Sequence, residues 1–346
     1  MKATYHKHIL DFKRPSGTSR GILKQKETWF IVIDDSEKKG IGECGILRGL
    51  SIDDRPDYEE KLKWTCEHIE LGVEKLLPEL KEFPSIQFGV EMAFRSLESE
   101  TPFHLFPSDF TGGADSIEIN GLIWMGEKQF MLDQIKTKID QGFNCIKMKI
   151  GAIDFDEELE LLSFIRSKFS AEEIELRVDA NGAFSSKEAL EKLKRLSKFG
   201  LHSIEQPIRQ GQFKQMAELC LRTPLPIALD EELIGVFDVT DKRKLLQTIQ
   251  PQYIILKPSL IGGFKGTHEW ITIAESLDIP WWITSALESN IGLNAIAQYT
   301  YTLNNKMPQG LGTGGLFTNN IECPLEVKKG TLVVNKQKEW NLTYLD

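Results

Sequence analysis

A chain of 346 residues, 41 % hydrophobic and 27 % charged, can bury a large core, either as one big α/β barrel or as two ordinary domains. Its formal net charge of −9 offers no basic footprint for nucleic acid, and it holds no apolar run near the roughly 20 residues that span a bilayer. Cys44, Cys66, Cys145, Cys220 and Cys323 are odd in number and scattered, which argues against a disulfide framework or thiolate zinc; with the polar stretch Met1 to His8, this predicts a soluble, cytoplasmic protein that acts on a small molecule, with no nucleic-acid or membrane partner.

Residues 4–13 and 27–47 read as strands, the second broken by a polar stretch at 34–40 that suits a hairpin turn. Between them Arg14-Pro15-Ser16-Gly17-Thr18-Ser19-Arg20-Gly21 reads as a loop, either a plain connection or a mobile lid with Arg20 as its contact to an anionic substrate. Helical patterns follow at 58–80 and 85–99; in the second, Phe88, Met92 and Leu97 lie near one stripe, and both are expected to pack on the hairpin. The Pro-, Gly- and Phe-rich stretch 101–113 reads as a linker.

From Ser116 the texture changes to short strand-like runs alternating with helix-length segments. There are eight runs, at 117–122, 145–150, 174–179, 202–206, 226–230, 253–257, 281–285 and 310–313, whose ends fall roughly 25 to 30 residues apart. That is the size of one strand, one helix and two loops, so the natural reading is a closed parallel barrel. The tail at 324–334 reads as a further hairpin, expected to rejoin the N-terminal sheet.

In a parallel barrel the chemistry sits at the C-terminal strand ends. There this chain has Lys149, Asp179, Glu205, Asp230 and Lys257, each charged in an otherwise strand-like setting. Any one alone reads more readily as a solvated strand end; five together do not. Three carboxylates from consecutive strands would repel one another without a cation, and hard oxygen donors with no His or Cys select Mg²⁺, or else Mn²⁺, over zinc. Lys149 ends the second run and Lys257 the sixth, half a barrel apart, so they face each other across the mouth. Alternation puts Lys147 on the same face as Lys149, with Ile146, Met148 and Ile150 on the other.

That arrangement suits removal of a proton next to a carboxylate. The resulting enediolate needs positive charge on its oxygens, and the base must be neutral near pH 7. A lysine working at about pH 7 to 8 has lost roughly 3 units from its ordinary value. Lys147 beside Lys149 disfavours a second ammonium and so serves that purpose.

The motifs K-M-K at 147–149, D-A-N-G at 179–182, E-Q-P at 205–207, D-E at 230–231 and L-K-P at 256–258 make the chain similar to the enolase superfamily. The K-x-K, with a lysine after the sixth strand, resembles its muconate-cycloisomerase-like branch. The resemblance implies a modified TIM barrel, (β/α)7β, at 113–321 under an N-terminal α+β capping domain at 1–112, completed by the tail 322–346. It further implies Mg²⁺ held by Asp179, Glu205 and Asp230, Lys149 as the base and Lys257 as the stabiliser of the dienolate. Asn181 and Glu231 would support these from behind.

G-E-C-G at 42–45, L-R-G-L-S at 47–51, S-A-L-E-S-N-I-G at 285–292 and G-L-G-T-G at 310–314 resemble, within that branch, lyases that expel a β-hydroxyl as water on the face from which the proton leaves, forming an aromatic ring. Ser285 and Ser289 are then the candidates for a distal substrate carboxylate. The competing readings are a dipeptide epimerase or N-acylamino-acid racemase of the same branch, since opposed lysines suit two-base inversion, and a non-catalytic barrel that retains the site.

Overall fold

A computed structural model describes residues 1–18 and 21–341. β1 (Lys2–Thr18) and β2 (Gly21–Asp34) form a long antiparallel hairpin, and β3 (Lys39–Gly45) joins β2 after a turn in which the Asp35 carboxylate accepts the N–H groups of Glu37 and Lys38. The stretch 14–18, expected as loop, is instead the end of β1. After a register shift beyond Asp11, Ser16 pairs with Leu23 and Gly17 with Ile22, so the backbone groups of this segment find strand partners. Arg20 lies outside the described residues.

The helical pattern at 58–80 resolves into α1 (Tyr58–Glu67) and α2 (Val73–Glu79), separated by a 3₁₀ turn and by Gly72 at φ 77°, a backbone geometry that cannot continue a right-handed helix. α3 (Pro84–Glu98) lies so close to β3 that a Cβ on Gly42 would come within 1.9 Å of the Gly89 carbonyl oxygen. Glycine at both positions permits that contact. α3 has two apolar faces rather than one stripe: Ile86, Val90, Ala93 and Leu97 pack with Trp29, Ile31 and Ile33 of the sheet, while Phe88 and Met92 join the core of the rest of the molecule.

β4 (Ile117–Glu118) precedes the barrel. The chain then runs through β5 (Gly121–Ile123), α4 (Lys128–Asp140), β6 (Cys145–Lys149), α5 (Phe155–Arg166), β7 (Glu175–Asp179), α6 (Ala189–Leu196), β8 (Ser203–Glu205), α7 (Phe213–Arg222), β9 (Ile227–Leu229), α8 (Val239–Ile249), β10 (Tyr253–Leu256), α9 (Pro258–Ile261), α10 (Gly263–Glu275), β11 (Trp281–Ile283) and α11 (Asn290–Thr302). β5 to β11 form a seven-stranded parallel sheet in sequence order. The eighth run is reduced to bridges: Gly310 exchanges backbone hydrogen bonds with Ile283 and Ser285, and Gln309 with Glu118 and Asn120, which joins the last strand to the first. The fold is thus a capped, modified TIM barrel.

Two expectations differ here. The first run splits, because Ile117 and Glu118 leave the barrel to pair with Leu332 and Thr331. The tail hairpin, β12 (Leu325–Lys328) and β13 (Thr331–Val334), pairs through β13 with β4 and not with β1 to β3. Leu332 is buried, so pairing with β4 covers its side chain as well as its backbone. Among the described residues no helix is long and apolar enough to cross a membrane.

Candidate active site

Strand register assembles the site. Lys149 lies opposite Asp179, and Asp179 opposite Glu205, so three neighbouring strands end with charged side chains abreast. Asp230 and Lys257 follow directly on β9 and β10. Lys149, Asp179, Glu205 and Asp230 are buried, as is Lys147, and Lys257 is half-buried.

The lysines and carboxylates interleave. Lys149 Nζ donates to Asp179 Oδ2 at 2.8 Å and to Asn181 Oδ1 at 2.7 Å. Lys147 Nζ donates to Glu205 Oε2 at 2.6 Å and lies 3.4 Å from Asp179 Oδ2. Lys257 donates to Asp230 and stands 3.5 Å from Glu205 Oε1. Asn181 Nδ2 donates to Glu231 Oε1 at 3.1 Å. Lys149 and Lys257 therefore occupy opposite ends of the row Asp179–Glu205–Asp230, and Asn181 and Glu231 form a link behind it.

Burial penalises every charge in this row, and the partners decide the outcome. For Asp179 the ammonium groups of Lys149, Lys147 and Lys257 outweigh burial and hold the carboxyl well below the usual range. Burial pulls Lys147 down, but Glu205 and Asp179 outweigh it and raise its pKa, so Lys147 is a cation. Lys257 is raised in the same way, chiefly by Asp230 and Glu205. Asp230 is pushed up by burial, reinforced by Glu231 and Glu205.

The row thus sets the four carboxyl groups Asp179, Glu205, Asp230 and Glu231 against three lysines, one acid more than there are ammonium groups, and Asp230, pushed up, is the one that keeps a proton. Glu205 Oε1 is buried with no hydrogen-bond partner. Both features, and the all-oxygen donor set, fit a divalent cation. The oxygens turn towards the lysines, however, and among the described residues no group of three His, Cys, Asp or Glu side chains is arranged round one point for a metal. Loading would require the carboxylates to turn from their lysine partners.

Lys147, Lys149, Asp179, Asn181 and Lys257 line a cavity of about 120 Å³ whose other walls are mainly apolar, with Glu205 and Asp230 set back from it. The cap contributes Leu23, Leu47 and Leu50; the barrel contributes Trp124, Ser285, Leu287 and Thr313. Lys149 Nζ lies 5.8 Å from the centre of the Trp124 ring. Ser285 is at this cavity and Ser289 is not. Ser289 is fully buried, caps α11 by accepting the Ile291 N–H, and donates its hydroxyl to Glu43 Oε2 at 2.5 Å. Its spacing to the helix start was readable as an N-cap signal. Trp124, Asn120 and Thr313 carried no signal of their own, although Thr313, Leu47 and Leu50 all fall inside motifs that carry the family resemblance.

Fold and site define a barrel enzyme with its chemistry at the C-terminal ends of the strands, closed over by an α+β cap. The chain belongs to the enolase C-terminal domain-like family, whose model matches residues 131–338. It is 46 % identical to an o-succinylbenzoate synthase of Desulfotalea psychrophila over 97 % of this chain and 99 % of that one. The crystal structure of MenC from the same organism matches with a TM-score of 0.86 at 44 % identity, covering 96 % of this chain and 99 % of that one. An N-succinylamino acid racemase of an Amycolatopsis species is 26 % identical over 92 % of this chain and 88 % of its own. Enzymes of the enolase superfamily generally depend on a divalent metal.

Proposed function

We propose that the chain is an o-succinylbenzoate synthase, a carbon–oxygen lyase that dehydrates 2-succinyl-6-hydroxy-2,4-cyclohexadiene-1-carboxylate to 2-succinylbenzoate in menaquinone biosynthesis. The observation that carries the chemistry is the buried row of carboxylates with Lys149 and Lys257 at its two ends, both lysines lining a largely apolar cavity. The near full-length similarity to a synthase of that name supports the particular reaction.

In this reading Lys149 takes the proton α to the ring carboxylate. The electron pair moves into the ring, the C–O bond to the β-hydroxyl breaks, and Lys149 returns the proton to the departing oxygen, so one water leaves and the ring becomes aromatic. A base must be neutral when it acts. Lys147, kept cationic by Glu205 and Asp179, stands beside Lys149 on the same face of β6. Lys257 supplies positive charge from the opposite end as negative charge develops, and Asn181, tied to Glu231, fixes the direction of Lys149. When bound, a divalent cation held by Asp179, Glu205 and Asp230, Mg²⁺ with Mn²⁺ as the substitute, supplies positive charge to the substrate carboxylate. The same reading takes residues 1–112 as the cap that encloses the substrate, 113–321 as the catalytic barrel, and a cytoplasmic setting.

The second reading, racemisation of N-acylamino acids or epimerisation of dipeptides, is favoured by the two opposed lysines and by the racemase relative. Against it for dipeptides, the wall at 310–314 offers no carboxylate for a substrate ammonium. One experiment separates the readings. Purified protein with Mg²⁺ is given the cyclohexadiene substrate while its ultraviolet absorbance is followed, and N-succinylamino acids and dipeptides are incubated in parallel in D₂O. Loss of absorbance is expected. Rapid α-proton exchange with no dehydration would overturn the proposal.

A further inference from the structure

We propose that Lys26 of the cap binds the distal carboxylate of the substrate, the one on its succinyl arm; the identity of that ligand rests on the function proposed above. Two independent observations lead there.

The first concerns which way hydrogen bonds run in the barrel wall. Ser285 Oγ donates to Glu288 Oε2 at 2.5 Å and accepts from Thr313 Oγ1 at 2.9 Å and from the Leu287 N–H at 3.1 Å. A hydroxyl has one proton and two lone pairs, so Ser285 is saturated and Thr313 has spent its only proton. Glu288 holds the chain in this direction, because its other oxygen accepts the Ser259 hydroxyl at 2.5 Å. Towards the cavity Thr313 therefore shows lone pairs. A carboxylate only accepts hydrogen bonds, so these hydroxyls do not recognise one. In this proposal Lys26 takes the part expected of Ser285, and Ser289 is spent on Glu43.

The second concerns Lys26. It is 3 % exposed, and its Nζ has no hydrogen-bond partner among the described residues. An ammonium buried without an acceptor is costly, and it is tolerated where an anion completes it. Lys26 shares a strand face with Thr28, whose hydroxyl donates to Glu43; Glu43 in turn accepts the Ser289 and Gly292 N–H groups. That face thus looks onto the loop after β11, which lends Ser285 and Leu287 to the cavity. The cross-strand partner of Lys26 is Leu10, which packs in one cluster with Trp124 and Leu287, both cavity-lining. Gly45 leaves the room: a Cβ there would lie 2.6 Å from Lys26 Nζ. Lys26 is not itself among the lining side chains, so it engages by rotating its flexible four-carbon stem.

The test measures calorimetric binding of 2-succinylbenzoate and of its side-chain methyl ester to the full-length wild type, Lys26→Met and Lys26→Arg, together with dehydration kinetics. Lys26→Met is expected to weaken the free acid by about 10-fold or more, the range for a hydrogen bond to a charged group, and to leave the ester within about 2-fold of wild type. KM should rise while kcat stays within about 3-fold, and Lys26→Arg should restore most of the discrimination. Because Lys26→Met removes an unpaired buried charge, its unfolding midpoint should equal or exceed that of wild type. Equal binding of the free acid by wild type and Lys26→Met overturns the proposal. So does an equal loss for acid and ester, which would mark a packing role. A wild type that prefers the acid to the ester through Lys26 but performs no dehydration overturns the proposed reaction and leaves the carboxylate site standing.

Discussion

Asp179 Oδ2 serves two ammonium groups at once, Lys149 at 2.8 Å and Lys147 at 3.4 Å, but the two lysines are not equivalent. Lys147 has a second carboxylate in Glu205 at 2.6 Å, whereas the second partner of Lys149 is the neutral amide oxygen of Asn181. Lys149 is therefore held by fewer carboxylates and is the better placed of the two to take a proton. Lys149→Ala is expected to lower kcat by about 10²–10⁴-fold, the usual contribution of a general base, and to abolish solvent exchange of the α-proton; exchange at the wild-type rate would remove it from that role. The charged strand ends were legible because alternation along a strand fixes which side chains share a face. The roles of Ser285 and Ser289 were not, because the direction of a hydroxyl is set by Glu288, Thr313 and Glu43, which lie far away in sequence or carry no local pattern. Glu158 carries a pH dependence of stability. Its Oε1 accepts the Gly151 N–H at 2.6 Å, in the loop just after Lys149. Burial, only partly offset by the backbone N–H groups of Gly151, Ala152 and Ile153, raises its pKa to about 7. The native state thus binds this proton more tightly than the unfolded chain, whose glutamates titrate near 4.3. This group's contribution to stability is present in full at low pH and is lost as pH rises from about 4.3 to about 7. Urea unfolding of wild type and Glu158→Gln across that interval should show the variant gaining relative to wild type as pH increases; a constant difference would disprove the assignment.

Two glutamates of the cap sit at the N-termini of barrel helices, and they explain how one element positions another. Glu43 on β3 accepts the N–H groups of Ser289 and Gly292 and the Ser289 hydroxyl at the start of α11, and the hydroxyl of Thr28 on the neighbouring β2. Glu91 on α3 accepts the N–H groups of Phe264 and Lys265 at 2.5 and 3.0 Å at the start of α10. Carboxylates there satisfy orphan donors and complement the helix dipole. Since α11 follows the loop that carries Ser285 and Leu287, Glu43 registers the cap against one wall of the cavity. Glu43→Ala leaves several buried donors unpaired and should cost roughly 2–4 kcal/mol in stability. Hydrogen exchange at 285–292 should rise with it, and wild-type protection there would show that the latch does not hold the loop. All eight runs were readable as short strand-like stretches at a regular spacing, whereas the partners of the two at the seam were not. Residues 117–118 and 309–310 make only a few backbone bonds each, and which partner they choose depends on the tail hairpin and on β11. Nothing local encodes that choice. The split of 58–80 was readable in principle, since Gly72 marks the break, while Pro78 is accommodated inside α2.

For the molecule as a whole, the excess of acids over lysines in the mouth of the barrel is the feature with the largest consequence. Asp230, pushed up by burial and its acidic neighbours, ionises only at a cost in the cation-free chain, and a divalent cation would remove that cost. A ligand that binds only the native state stabilises it by RT ln(1 + [L]/Kd), about 2.7 kcal/mol at 100 times Kd. For a chain of this size that corresponds to a rise in unfolding midpoint of several degrees, given ~2–4 °C per kcal/mol in domains of about 150–250 residues. Mg²⁺ or Mn²⁺ should therefore raise the midpoint of wild type in a saturable way, and a chelator should reverse it. Glu205→Gln should lose the response, because it removes the middle donor of the row, and so should Asp179→Asn. Ca²⁺ is larger and takes more ligands than three carboxylates and bound waters readily supply, so its shift should be smaller at equal concentration. A wild-type midpoint indifferent to both Mg²⁺ and Mn²⁺ would separate the lysine–carboxylate row from metal binding, and would leave Lys147, Lys149 and Lys257 as the only positive charge available to the substrate carboxylate among the described residues of the row.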